Sequence, residues 1–208
     1  MKPIDSFFSR ILPLVPNCPE PLAEQAVLDS AIEFCERSNA LRYTVDQFPT
    51  VIGQSTYDID VPTNHTFVRV VYLTVDGMDL TSHVTEKLPT KDVSNSMPYR
   101  YYTTQNESEL QLNLYPAPDA VYQVNMNIVL KPSYSARYVE DDLFNYWNDA
   151  IVAGALYRLK VVPGQPFSDP AGALYYDRRS KILCHQARLE GNIGRVVGSM
   201  DARPRPLA

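Results

Sequence analysis

Cysteine, histidine and glycine are all scarce in this chain of 208 residues, with counts of 3, 3 and 8. Cys18, Cys35 and Cys184 are odd in number and widely spaced, which argues against a disulfide framework or a zinc ribbon and for a reducing compartment. His65 and His83 stand alone in turn-like regions and His185 on a polar helix face; no HExxH or paired CxxC occurs, so no metal is expected. The few glycines form no Walker loop, no GxSxG elbow and no GxGxxG after a strand. The Gly191, Gly194, Gly198 series follows a helix and reads as a linker, not a phosphate cradle. Long apolar runs are missing too. Nothing approaches the ~18 residues of a membrane span, and Ile-Leu-Pro-Leu-Val at 11–15 is too short and proline-broken for a secretion signal. The expectation is no membrane and a cytosolic start, which makes the sequons at Asn64 and Asn106 chance matches.

Basic runs are the last absence. The 19 Lys+Arg against 24 Asp+Glu leave a formal charge of -5, which excludes a general nucleic-acid binder because such proteins gain most of their affinity by neutralising phosphates. What is present is ordinary globular material: 45% apolar and 21% charged residues, enough to bury a core as one domain or one domain with an insertion. Proline is the excess, at 17 residues against a usual share of ~5%. It punctuates the chain.

Ile4, Phe7, Phe8, Ile11 and Leu12 share one helical face ended by Pro13 and Pro16, which predicts a short helix docked on the protein's own core. A second helix is predicted from about Glu20 to Leu41. Its apolar residues fall on two stripes, Ala23/Ala26/Val27/Ala31/Phe34/Cys35 and Leu28/Ile32, and this breadth implies two neighbours, within the chain or across subunits. From Arg42 to about Tyr138 the period shortens to two, as in 57–61, 67–73, 110–114 and 121–126, and six to eight antiparallel strands are expected. Asp76-Gly77 is a type I′ hairpin signal, and Pro116–Asp119 a turn between the late strands. Residues 86–100 read as a long exposed loop. Helix resumes at the acidic cluster Glu140-Asp141-Asp142 and runs to about Val161. A last helix, capped by Asp169 with Pro170 at its first position, runs to about Glu190. The fold class expected is therefore α+β: a helical bundle of residues 1–41 and 139–194, an inserted antiparallel β-sandwich or barrel at 42–138, and an extended C-terminal tail at 195–208. That tail carries Arg195, Arg203 and Arg205 against Asp201 and is too apolar-poor to fold alone.

Candidate chemistry is thin. Asp58 and Asp60 share a strand face, which is more simply the solvated side of an edge strand than a cation site. The carboxylates at 140–142 complement a helix dipole without any substrate. Cys184 and His185 are neighbours in sequence but point about 100° apart on a helix. Tyr99, Tyr101, Tyr102 and the pair Tyr175-Tyr176 lack a basic groove and read as interface or core aromatics. The balance favours assembly over catalysis.

The segment Asn17–Pro21 leading into AIEFCERSNALR (31–42), and PGQPFSDPAGALYYDRRSKILCHQARLEGNIG (163–194), resemble the head-to-tail adaptor (tail tubular A-like) proteins of short-tailed bacteriophages. LYPAPD (114–119) and LKP (130–132) resemble that family's β insertion; Phe167 departs from it, standing where a Trp is expected. The resemblance implies a structural virion protein at the head–tail interface, made in the bacterial host cytoplasm. It implies a homo-oligomeric, dodecameric ring that joins the portal protein to a downstream tail or nozzle protein, with DNA only as transient cargo in its channel. No enzymatic activity or cofactor is implied. The residues expected to bind the portal are Tyr175, Arg178, Arg179, Arg195, Arg203, Arg205 and Leu207; those expected at a subunit interface or in the bundle core are Leu28, Ile32, Phe34 and Trp147. Two other classes compete with this reading. One is a carbohydrate- or peptide-binding β module on a helical stalk, with Tyr99, Tyr101 and Tyr102 as contacts; the other is a hydrolase with an unrecognised carboxylate pair.

Overall fold

A computed structural model describes residues 1–83, 95–106 and 109–193. The tail at 195–208 and most of the loop expected at 86–100 lie outside the described residues. The described residues are mixed α+β, with four α-helices and mainly antiparallel sheets, none of which closes into a barrel.

The chain begins with β1 (Lys2–Pro3), which pairs with β10 (Tyr138–Val139). A helical stretch follows, two 3-10 turns at Ile4–Phe7 and Leu12–Leu14 flanking α1 (Phe8–Ile11). Ile4, Phe7 and Ile11 are fully buried, which docks this stretch on the chain's own core. α2 (Glu20–Ser38) stops before the expected Leu41 because Asn39 takes the left-handed conformation, φ 55°, that asparagine tolerates at a helix end. α3 (Asp141–Val161) is the central helix. Every position from Ala150 to Leu156 is buried, because α1, α2 and α4 (Pro170–Ile193) all pack on it. Where α2, α3 and α4 converge there is no room for a side chain. A Cβ on Gly154 would lie 2.2 Å from Ser30 Oγ and 3.3 Å from Ser180 Oγ, while Ser30 Oγ itself donates to the Ile151 carbonyl at 2.8 Å. α3 departs from helical geometry at Trp147, φ -121° and ψ 16°.

Between α2 and β10 the described residues form eight strands: β2 (Arg42–Pro49), β3 (Thr56–Ile59), β4 (His65–Val75), β5 (Met78–Asp79), β6 (Thr81–Ser82), β7 (Arg100–Asn106), β8 (Glu109–Tyr115) and β9 (Gln123–Pro132). They form two four-stranded sheets, ordered β2-β9-β4-β5 and β3-β8-β7-β6, antiparallel except for the short β6–β7 pair. Alternate residues of both sheets share one core, including Tyr57, Leu73, Leu110, Leu112, Met126 and Ile128. β9 is buried on both faces through its middle because its other side lies against α2. Asp76 and Gly77 have φ of 47° and 80°, the two positive values a type I′ turn needs, and join β4 to β5 in register. The turn at Pro116–Asp119 carries the chain from one sheet to the other, since β8 and β9 are not paired.

A second core belongs to the helices, drawing on Ile4–Cys35 and on Ala136–Ala187, with Leu41 touching both clusters. Phe167 is 4% exposed within it, so an aromatic ring still fills the position where the sequence departs from the adaptor pattern.

Candidate interaction face

α4 is the element on which most of the expected contact residues converge. Its start is set by Asp169, whose Oδ1 accepts the Gly172 N–H at 2.9 Å; that bond first, and Lys160 Nζ at 3.3 Å second, hold the carboxyl below its ordinary range. Inward the helix presents mainly small residues: Ala173, Cys184 and Ala187 are buried and Ser180 meets Gly154, with the partly buried Tyr176 and Leu183 packed beside them. Outward it presents large ones. Leu174, Tyr175, Ile182 and Leu189 are 60%, 56%, 68% and 48% exposed. At about 100° per residue, these four and Arg178 fall within a ~100° arc on the side opposite the buried stripe. Scattered exposed apolar residues are normal, but an aligned stripe two turns and more in length is not.

Tyr175 and Arg178 therefore stand on this face. Arg179 lies at its edge, where Nη1 donates to Tyr175 Oη at 3.1 Å and Nη2 approaches Asp149 of α3 at 3.6 Å. The Tyr175 and Tyr176 rings meet edge to face, centroids 5.1 Å apart. Arg195, Arg203, Arg205 and Leu207 lie outside the described residues. Leu174, Ile182 and Leu189 are the face residues that sequence reasoning missed. The signal was available as small residues on one stripe of the last helix and large apolar residues on the other.

Leu28, Ile32 and Phe34 are buried in the chain's own core, and Trp147 is half-buried with its ring 5.6 Å from that of Phe34. The two stripes of α2 face α3, α4, β9 and the N-terminal helical stretch of the same chain. Their breadth consequently needs no second subunit, and that part of the sequence argument for subunit packing falls.

The competing sites separate in space. Tyr101 is buried in the β core, its neighbour Tyr102 points to the opposite face of β7, and Tyr99 is exposed just before that strand, so the tyrosine trio does not form one contact surface. Asp58 is exposed on the edge strand β3, where Oδ1 accepts from Gln111 Nε2 at 3.0 Å. His65 is not isolated in a turn as expected. It opens β4 with its side chain largely buried, Nδ1 3.0 Å from the Thr63 carbonyl and Nε2 3.3 Å from Glu140 Oε1. Burial raises the Cys35 thiol far above its ordinary range and pushes Cys184 up as well, the reverse of what a nucleophile needs. Among the described residues no group of three or more His, Cys, Asp or Glu side chains is placed to hold a metal ion, and no helix is long and apolar enough to cross a membrane.

No protein-family model matches the chain, and no curated protein matches it.

Proposed function

We propose that this protein is a structural adaptor of a short-tailed phage virion: a subunit whose outer segments form a helical bundle carrying an inserted β-sandwich, assembled into a dodecameric ring between portal and tail. The observation that carries the reading is the outer face of α4, where Leu174, Tyr175, Ile182 and Leu189 fall within one arc of the helix and are 60%, 56%, 68% and 48% exposed. A helix of this kind is stabilised by a partner, and the chain continues from it into a basic, proline-ended tail suited to ordering on a docking surface. The charge of -5 suits a ring through which a polyanion slides without sticking. In such a ring Tyr175, Arg178 and Arg179 with the tail residues Arg195, Arg203, Arg205 and Leu207 face the portal, and a nozzle protein binds below.

The test is reconstitution. Mixed with purified portal rings, the full chain is expected to form a closed ring countable by electron microscopy, and a chain lacking residues 195–208 is expected to melt like the parent but leave portals bare. Full-length protein that stays monomeric beside portal, or truncated protein that decorates it normally, would overturn the assignment.

A further inference from the structure

A cleft of about 380 Å³ opens on the flank of α4, bounded by the last turns of α2 and by β4. Arg37, Arg69, Lys181, His185 and Arg188 line it, with Glu36 as its one lining carboxylate. In a chain of net charge -5 this concentration of positive charge is local. Most of the cations have partners. Arg37 pairs with Glu33 at 2.7 Å, and Lys181 with Asp177 at 2.7 Å. The Glu36 carboxylate is itself taken, by Lys131 at 2.6 Å, so it does not neutralise the cleft. Two guanidiniums are left over. Arg69 Nη2 donates to the main-chain carbonyl of Glu36 at 3.1 Å and meets no carboxylate, and Arg188 has no ion-pair partner among the described residues.

Uncompensated like charges gathered in one concavity repel each other, and an anion bound there removes that cost. Guanidinium forks match the oxygens of phosphate in geometry as well as charge. The volume falls within the ~300–1,000 Å³ of small-molecule sites. No Phe, Tyr or Trp lines the cleft, whose one aromatic ring is the His185 imidazole, so it offers charge for phosphate oxygens and little stacking surface for a nucleobase. We propose that this cleft binds a small polyphosphate anion, a di- or triphosphate, through Arg69 and Arg188 with Lys181 and His185 at its rim. The site lies on the flank of α4 and adjoins its outer face at His185, and it does not depend on the adaptor reading.

Isothermal titration of the full chain with sodium tripolyphosphate at low salt tests it. One saturable site is expected, weakened at least about tenfold in Arg188→Gln and in Arg69→Gln, and unchanged in Arg10→Gln, whose side chain pairs with Asp149 elsewhere. Arg188→Gln is the decisive variant, because Arg69 also ties β4 to α2 and its loss perturbs the fold. Absence of saturable heat, or equal affinity in the parent and Arg188→Gln, overturns the proposal. A short duplex DNA that binds more tightly than tripolyphosphate overturns the small-anion assignment in favour of nucleic-acid backbone phosphates.

Discussion

α2 and α4 are both long helices packed on α3, yet they are built in opposite senses. α2 turns its large residues inward: Leu28, Ile32 and Phe34 are among the ten buried positions of its nineteen. α4 buries only small residues fully, Ala173, Cys184 and Ala187, packs Tyr176 and Leu183 partly against the same core, and leaves Leu174, Ile182 and Leu189 outside. Burying a large aliphatic side chain contributes roughly 1.5–3 kcal/mol relative to leaving it exposed, so an isolated α4 forgoes that contribution several times over. The contrast separates two jobs. α2 holds the helical core together through large residues, while α4 approaches α3 closely through small ones, packs Tyr176 and Leu183 beside them, and leaves Leu174, Ile182 and Leu189 exposed.

The sharpest way to break the comparison is to truncate a large residue on α2. Phe34→Ala should cost about 3–5 kcal/mol in denaturant unfolding, since the ring is 4% exposed and packs on Trp147. Trp147→Ala should cost less, because that ring is only half-buried. Equal stability of Phe34→Ala and the parent would contradict the assignment of α2 to the core.

Gly154 tests the small-residue side of the contrast. A methyl group there meets Ser30 Oγ at 2.2 Å, and Gly154→Ala should destabilise by roughly 1–3 kcal/mol through overpacking. Adding Ser30→Ala removes the closest atom but leaves Ser30 Cβ at 3.2 Å, so the double variant should regain part of the loss. A Gly154→Ala variant as stable as the parent would mean the three helices sit farther apart than described.

A smaller effect concerns the start of α4. The Asp169 carboxyl is held low by the Gly172 N–H and by Lys160, so its contribution to stability is present above the ordinary carboxylate value of ~4 and fades as pH falls through the depressed folded value. Asp169→Asn keeps a capping oxygen but not the charge. Its melting temperature should fall below that of the parent at neutral pH, and the gap should close in acid. A gap that is constant with pH would show that the charge contributes nothing.

How much of this could be read from residue order depends on the range of the interaction involved. The hairpin at Asp76-Gly77 and the Asp169-Pro170 helix start are set by neighbouring residues, and both were visible. β2 and β7 were not singled out. β2 carries Asp46 and Gln47 where a register shift between Val45 and Phe48 breaks its alternation, and β7 runs Tyr-Tyr-Thr-Thr-Gln with no apolar–polar alternation. Sheet membership was equally out of reach: nothing local in the 114–119 turn distinguishes a hairpin from a passage between sheets. The breadth of α2 was apparent, but whether its neighbours came from the same chain was not, because periodicity reports that a face is covered and not by what. For the same reason the α4 stripe emerged only once the small residues were seen to be the buried ones.

The smallest expected change in stability is the one that carries most about assembly. Replacing Ile182 and Leu189 together by Ser removes apolar surface that is already exposed, so unfolding should move by no more than about 0.5 kcal/mol, in contrast to Phe34→Ala. If the outer face of α4 is an interface, the same double variant should lose its association, because apolar area at the centre of an interface carries most of the binding energy. Sedimentation alone and with portal reads this directly. Intact association would leave the stripe as bare surface and remove the contrast with α2, whereas a large loss of stability in the monomer would mean that α4 folds its outer face onto its own chain. Only unchanged folding together with lost association fits a helix whose large residues are reserved for a partner.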